Sequence, residues 1–176
     1  MHYYTMPRTR GGCLLGLVTL LLFVLLASGC AASGPIRSQV LDAQTNQPIP
    51  GAVVLGVWTK RVGFPGLDHT ETVAVRETEV DAQGNFELVQ PGADYGEESV
   101  TIYRFGYVAW NNLYMFPRSE RRPDVRVPAA IRLERFPENG SHQRHVSFIS
   151  GVTWGRDNPQ ATPRFWNAYR PEVRMP

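Results

Sequence analysis

The sequence predicts an all-β fold of the sandwich type, joined to an N-terminal targeting segment and a C-terminal extension. Three observations predict it. The chain between residues 36 and 136 holds many short runs rich in β-branched and aromatic side chains. Turn-forming clusters separate these runs at intervals of roughly ten residues. No run of apolar residues stands out at helical spacing, so packed sheets are expected to bury the core.

Composition narrows the function classes. The chain has 176 residues, of which 43% are hydrophobic and 11% aromatic, which excludes a disordered polymer and suits one domain with an appendage. Its 18 Lys+Arg stand against 16 Asp+Glu, a formal charge of +2, and a dedicated nucleic-acid binder would carry a clearer basic excess. Two cysteines, Cys13 and Cys30, exclude a disulfide framework and a Cys-rich zinc site.

Residues 1–29 read as an address. Arg8 and Arg10 precede an apolar run, and no charge lies between Gly11 and Gly29. A basic start, an apolar stretch and small residues at the end form a secretory signal pattern. The ending Leu26-Ala27-Ser28-Gly29-Cys30 resembles a bacterial lipoprotein signal, although Ala27 stands where Leu is usual, three residues before the cysteine. That resemblance implies cleavage before Cys30, acylation of its sulfur and amine with palmitate-type chains, and attachment to a membrane of the cell envelope. Ala31 after the cysteine implies the outer membrane, facing the periplasm, in a cell that has one. An uncleaved anchor is the competing reading, because an uncharged stretch of that length can also cross a bilayer as a helix. Residues 30–35 form a short lipidated linker. Cleavage would leave a chain of zero formal charge in which Lys60 is the only lysine.

The strand candidates follow in order. Val53, Leu55 and Val57 alternate with Val54, Gly56 and Trp58, so both faces of that strand are apolar. The stretch from Trp58 to Glu71 reads as a long connection on which binding residues could sit. Val73, Val75 and Val80 mark a second strand, and Phe86 to Val89 a third. Between them, Asp81 is expected to accept hydrogen bonds from the turn amides, and Gly84 to take the left-handed conformation that closes the hairpin. Val100 to Phe105, Tyr107 to Trp110, and Val125 to Phe136 supply the remaining strands. After a break at Pro137-Glu138-Asn139-Gly140, His145 to Ile149 reads as one further strand. Pro159, Pro163 and Pro171 oppose regular structure in the tail.

Several of these segments together resemble the carboxypeptidase regulatory-like domains. Val40-Leu41-Asp42 followed by Thr45 to Val54 matches their opening strand-turn-strand, and Thr78-Glu79-Val80-Asp81 with Gly84 to Leu88 their second motif. Val100-Thr101-Ile102 with Phe105-Gly106-Tyr107, and Ile131-Arg132-Leu133, complete the likeness over residues 36–136. It implies a seven-stranded, transthyretin-like or immunoglobulin-like β-sandwich without catalytic residues of its own. Residues 137–176 lie beyond the likeness and form the C-terminal extension.

Candidate chemistry is sparse. The chain also resembles the transthyretin-shaped hydroxyisourate hydrolases in its Val-Leu-Asp opening, but Gln39 stands where they carry a histidine, and Pro171-Glu172 follows Tyr169-Arg170 where they have Gly-Ser. Without that imidazole nothing activates water. No Gly-x-Ser-x-Gly elbow and no phosphate-cradling glycine loop is present. His142 and His145 are three apart, which on a strand directs them to opposite faces and away from a shared metal. The chain is therefore expected to need no cofactor and to act as a non-enzymatic binding or scaffolding module. Its partners would be the membrane, through Cys30, and an envelope protein or glycan; nucleic acid is not expected. Trp154, Arg164, Trp166 and Tyr169 are candidate partner contacts, or else extend the domain's own core. The alternative is a small hydrolase or metal-dependent enzyme around His69 and the tail, which would require His69, His142 or His145 to meet Glu71 or Glu79 in one pocket. Charge is uneven: residues 30–100 carry 4 basic and 10 acidic side chains, residues 101–176 carry 12 and 6. Arg118, Arg121, Arg122 and Arg126 form either a basic patch or partners for the acidic half.

Overall fold

A computed structural model describes residues 34–92 and 94–175, which fall in one compact unit. The signal segment, the uncleaved-anchor alternative and Cys30 lie outside the described residues. The fold is mostly β-sheet, with few helices. Its elements are β1 (Ile36–Asp42), β2 (Val53–Val62), β3 (His69–Glu79), β4 (Asn85–Leu88), β5 (Glu97–Tyr103), β6 (Trp110–Asn111), β7 (Tyr114–Met115), β8 (Glu120–Arg121), β9 (Ala130–Leu133), α1 (His142–Val152) and α2 (Pro163–Val173).

One sheet has the order β4-β1-β9 and the other β3-β2-β5-β6, while β7 and β8 pair alone. All pairings are antiparallel except β1 with β9, where Val40 lies opposite Ile131. The two sheets share one core. Val40, Phe86, Leu88, Ile131 and Leu133 from the first meet Val54, Trp58, Val100 and Ile102 from the second. Only glycine fits at position 56, because an added Cβ would lie 2.5 Å from the Trp58 ring and 2.7 Å from Leu88.

The expected turn at Asp81 is present. Its Oδ1 accepts from the amides of Gln83 (2.9 Å) and Asn85 (2.8 Å). Gly84 has φ +84°, and Phe86 returns to the core.

Other expectations are corrected. The stretch from Trp58 to Glu71 is not a long connection: β2 and β3 extend through most of it and leave only residues 63–68 between them. The Tyr107–Trp110 segment is strand only from Trp110, and the Val125–Phe136 segment only over Ala130–Leu133, with Val125 exposed. Most importantly, the tail is helical. His145 to Ile149 belongs to α1, and α2 starts on Pro163.

The physical reasons are local. Ser141 caps α1 by accepting from the Arg144 amide at 3.3 Å. His145, Phe148, Ile149 and Val152 are buried at helical spacing, one stripe along α1. Pro163 occupies the first turn of α2, where a missing N–H costs nothing. Pro171 sits in the last turn. Both helices cover the outer face of the four-stranded sheet, where Val53, Leu55, Val57 and Tyr103 join Phe148, Ile149, Phe165 and Tyr169 in a second core.

Candidate functional site

The densest group of chemistry-bearing side chains lies under the two helices. Glu172, on α2, is 3% exposed, and its Oε1 accepts from Nδ1 of both His142 and His145, each at 2.7 Å. Its Oε2 accepts from the Tyr103 hydroxyl at 2.8 Å. The backbone amide of Ala109 donates to Nε2 of His145 at 2.8 Å. That bond fixes the tautomer: Nε2 is the acceptor, so Nδ1 carries the proton it gives to Glu172.

Burial pushes the Glu172 carboxyl upward, but the hydrogen bonds from His145 and His142, with that from Tyr103, outweigh it and hold the group below its ordinary value. Tyr103 is driven well above the ordinary phenol range by burial and by the Glu172 carboxylate. Aromatic rings close the cluster. Phe136 stacks on His142 with centroids 4.7 Å apart, and Phe116 meets the His145 ring edge-on at 5.1 Å.

This arrangement resembles catalytic machinery in composition; its inner imidazole, His145, is closed off, while His142 keeps a partly exposed edge. His145 has no exposed surface, and both its ring nitrogens are committed. A general base must reach a substrate proton directly or through one water. Here the carboxylate serves to join α1, α2 and β5. The expectation that His142 and His145 point to opposite faces of a strand is corrected, because the segment is helical and places both on one carboxylate, with His145 buried.

A second buried pair holds the turn between the helices. Asp157 accepts from the Thr153 hydroxyl at 2.7 Å and from the Tyr169 hydroxyl at 2.8 Å. Tyr169 is 3% exposed, so of its two readings the structure supports extension of the domain's own core over a partner contact: its ring packs on Phe165 and Tyr103. Trp154 and Trp166 are half-buried against the same core, and Arg164 is exposed.

Of the groups required for an enzymatic pocket, only His69 and Glu71 meet, and they do so on exposed surface. His69 bonds Glu71 at 3.0 Å on the exposed end of the β2–β3 hairpin. Glu79 lies at the opposite end of β3, beside an open groove of about 670 Å³ that also includes Arg37, Asp81 and Glu87. Among the described residues, no group of three or more His, Cys, Asp or Glu side chains is placed to hold a metal ion.

The arginine cluster is engaged locally. Arg121 reaches Glu97 at 3.1 Å, Arg126 reaches Asp124 at 3.0 Å, and Arg118 lies 3.6 Å from Glu120. Arg122 donates to the Asn111 carbonyl at 2.6 Å and lies 5.1 Å from the centre of the Trp110 ring. Among the described residues, no helix is long and apolar enough to cross a membrane.

The closed cluster was missed in the sequence because the stripes on α1 and α2 run through His145 and Glu172. A polar residue at a buried position breaks the apolar pattern that marks a helix face. The spacing of His145, Phe148, Ile149 and Val152 after Ser141 was the available signal. Comparison with protein-family models, curated proteins and solved structures finds no match to the chain.

Proposed function

We propose that this chain is a non-enzymatic lipoprotein of the bacterial cell envelope. Acylated Cys30 tethers a carboxypeptidase regulatory-like, transthyretin-like sandwich of seven strands, which acts as a binding or scaffolding module towards an envelope protein or glycan. The observation that carries the non-enzymatic part is the closed His145–Glu172–Tyr103 cluster, whose donors and acceptors are spent on holding helices to a sheet. The division of strands into sheets of three and four also supports the family resemblance. Exposed Arg164 and half-buried Trp166 remain the tail's candidate contacts.

The test is Cys30→Ser in a cell that processes lipoproteins. The native chain is expected to incorporate labelled palmitate and to partition into detergent. The variant is expected to lose the label and accumulate as precursor. A variant that is still trimmed and still held in the membrane would sink the lipid-anchor reading.

A further inference from the structure

Phe64 and Leu67 are the most exposed large apolar side chains among the described residues, at 79% and 83%. They occupy the tip of the β2–β3 hairpin, where the Leu67 amide donates to the Phe64 carbonyl at 2.9 Å. The charged groups behind the tip have partners: Arg61 pairs with Asp68, Lys60 with Asp94 at 2.5 Å, and Glu71 hydrogen-bonds His69 at 3.0 Å.

The register of the strands fixes which end of the domain this is. Ile36, where the described chain enters β1, lies opposite Leu88 at the end of β4. β4 leads to β5, which begins at Glu97 opposite Thr59, so the chain enters at the end of the domain from which the hairpin projects. Leu88 is level with Gly56 across the core, beside the Trp58 ring that leans back over that glycine. From Gly56 to Gly63 the hairpin advances by roughly 23 Å at ~3.3 Å per residue. Six fully extended residues, the separation of Cys30 from Ile36, span at most about 22 Å. The two lengths are nearly equal, so one bilayer surface lies within reach of both Cys30 and the tip.

We propose that Phe64 and Leu67 form a second membrane contact, inserting into the lipid interface beside the acylated cysteine and orienting the domain on the bilayer. This rests on the lipid-anchor reading. The occupant is a lipid surface rather than a protein because the chain outside the described residues arrives at this same end. The paired charges make the contact apolar, so it needs no anionic lipid.

The test uses the full lipidated chain in phosphatidylcholine vesicles, with an environment-sensitive dye on Leu67→Cys or on Gln44→Cys. Gln44 is exposed in the turn after β1, at the opposite end of the domain. Acylation blocks the Cys30 thiol, so the introduced cysteine takes the dye. The dye at position 67 is expected to shift to the blue and to be quenched by brominated lipid, with no loss in high salt, while the dye at 44 does neither. Adding Phe64→Ser to the labelled chain should weaken insertion roughly tenfold or more. Equal water exposure at 67 and 44, on a chain whose mass shows acylated Cys30, overturns the tip contact and leaves the anchor standing. A blue shift that follows protein density rather than lipid assigns the tip to a second copy and also overturns it. A mass without acyl groups on Cys30 removes the anchor and the proposal together.

Discussion

Buried carboxylates act as junctions at the scale of single residues. Asp42 Oδ1 accepts from the amides of Gln44 and Thr45, which shapes the turn after β1. Its Oδ2 accepts from the Tyr107 hydroxyl at 2.9 Å and from Arg135 Nε at 3.1 Å, which ties that turn to chain far downstream. The Asp81 turn was legible in the sequence because its partners lie within four residues; the long-range half of Asp42 was not, because nothing local encodes it. Gly84 combines both kinds of constraint. Its φ of +84° disfavours any side chain, and an added Cβ would sit 2.9 Å from the Val40 carbonyl and 3.0 Å from Pro48. Gly84→Ala is therefore expected to destabilise the fold by about 2 kcal/mol or more, through backbone strain and the clash together. Urea unfolding measures it, and a change under half a kcal/mol would refute the argument.

At the scale of elements, β2 explains what the sequence disclosed and what it withheld. Its two apolar faces were plain in the alternation of Val53, Leu55 and Val57 with Val54 and Trp58. A strand apolar on both faces needs cover on both faces. One face meets the other sheet, and the other meets α1 and α2. The covering helices were hidden by polar residues in their stripes and by two prolines, Pro163 in the first turn of α2, where it is tolerated, and Pro171 inside the helix, at the cost of one helix hydrogen bond. Docking of α2 also depends on β3: the Glu77 carboxylate accepts from the amides of Arg164 at 3.1 Å and Phe165 at 3.0 Å. Those are unpaired donors of a helix start, where a negative charge is favourable. Glu77→Ala is expected to cost about 1 kcal/mol and to raise amide exchange in α2 before the rest of the domain. Deleting Ser141 to Pro176 is a harsher test. It strips Leu55, Val57 and Tyr103 of their cover, so loss of the cooperative melt is expected. A truncated chain that still melts sharply would mean that the helices are an appendage.

For the whole molecule, the buried networks set how stability depends on pH. Thr45 and Gln44 amides, with Tyr107 and Arg135, hold Asp42 well below the ordinary carboxylate value against the opposing push of burial, and Glu172 is lowered too. A carboxylate lowered on folding stabilises the native state above its unfolded value, and that contribution is lost as pH falls below about 4 towards the folded value. Tyr103 and Tyr169 act in the opposite direction. Burial, then the neighbouring Glu172 and Asp157 carboxylates, raise both phenols. A group raised on folding stabilises the native state below its unfolded value, so stability declines as pH climbs past about 10. Thermal melts should show a plateau between roughly pH 7 and pH 9 with a falling limb on each side. Tyr103→Phe separates the contributions. It removes the hydrogen bond to Glu172, so it should lower stability on the plateau by about 1 kcal/mol. It also removes a phenol that must ionise on unfolding in alkali, so its alkaline limb should be shallower than that of the native chain. An unchanged alkaline slope would show that the closed cluster does not control this limb.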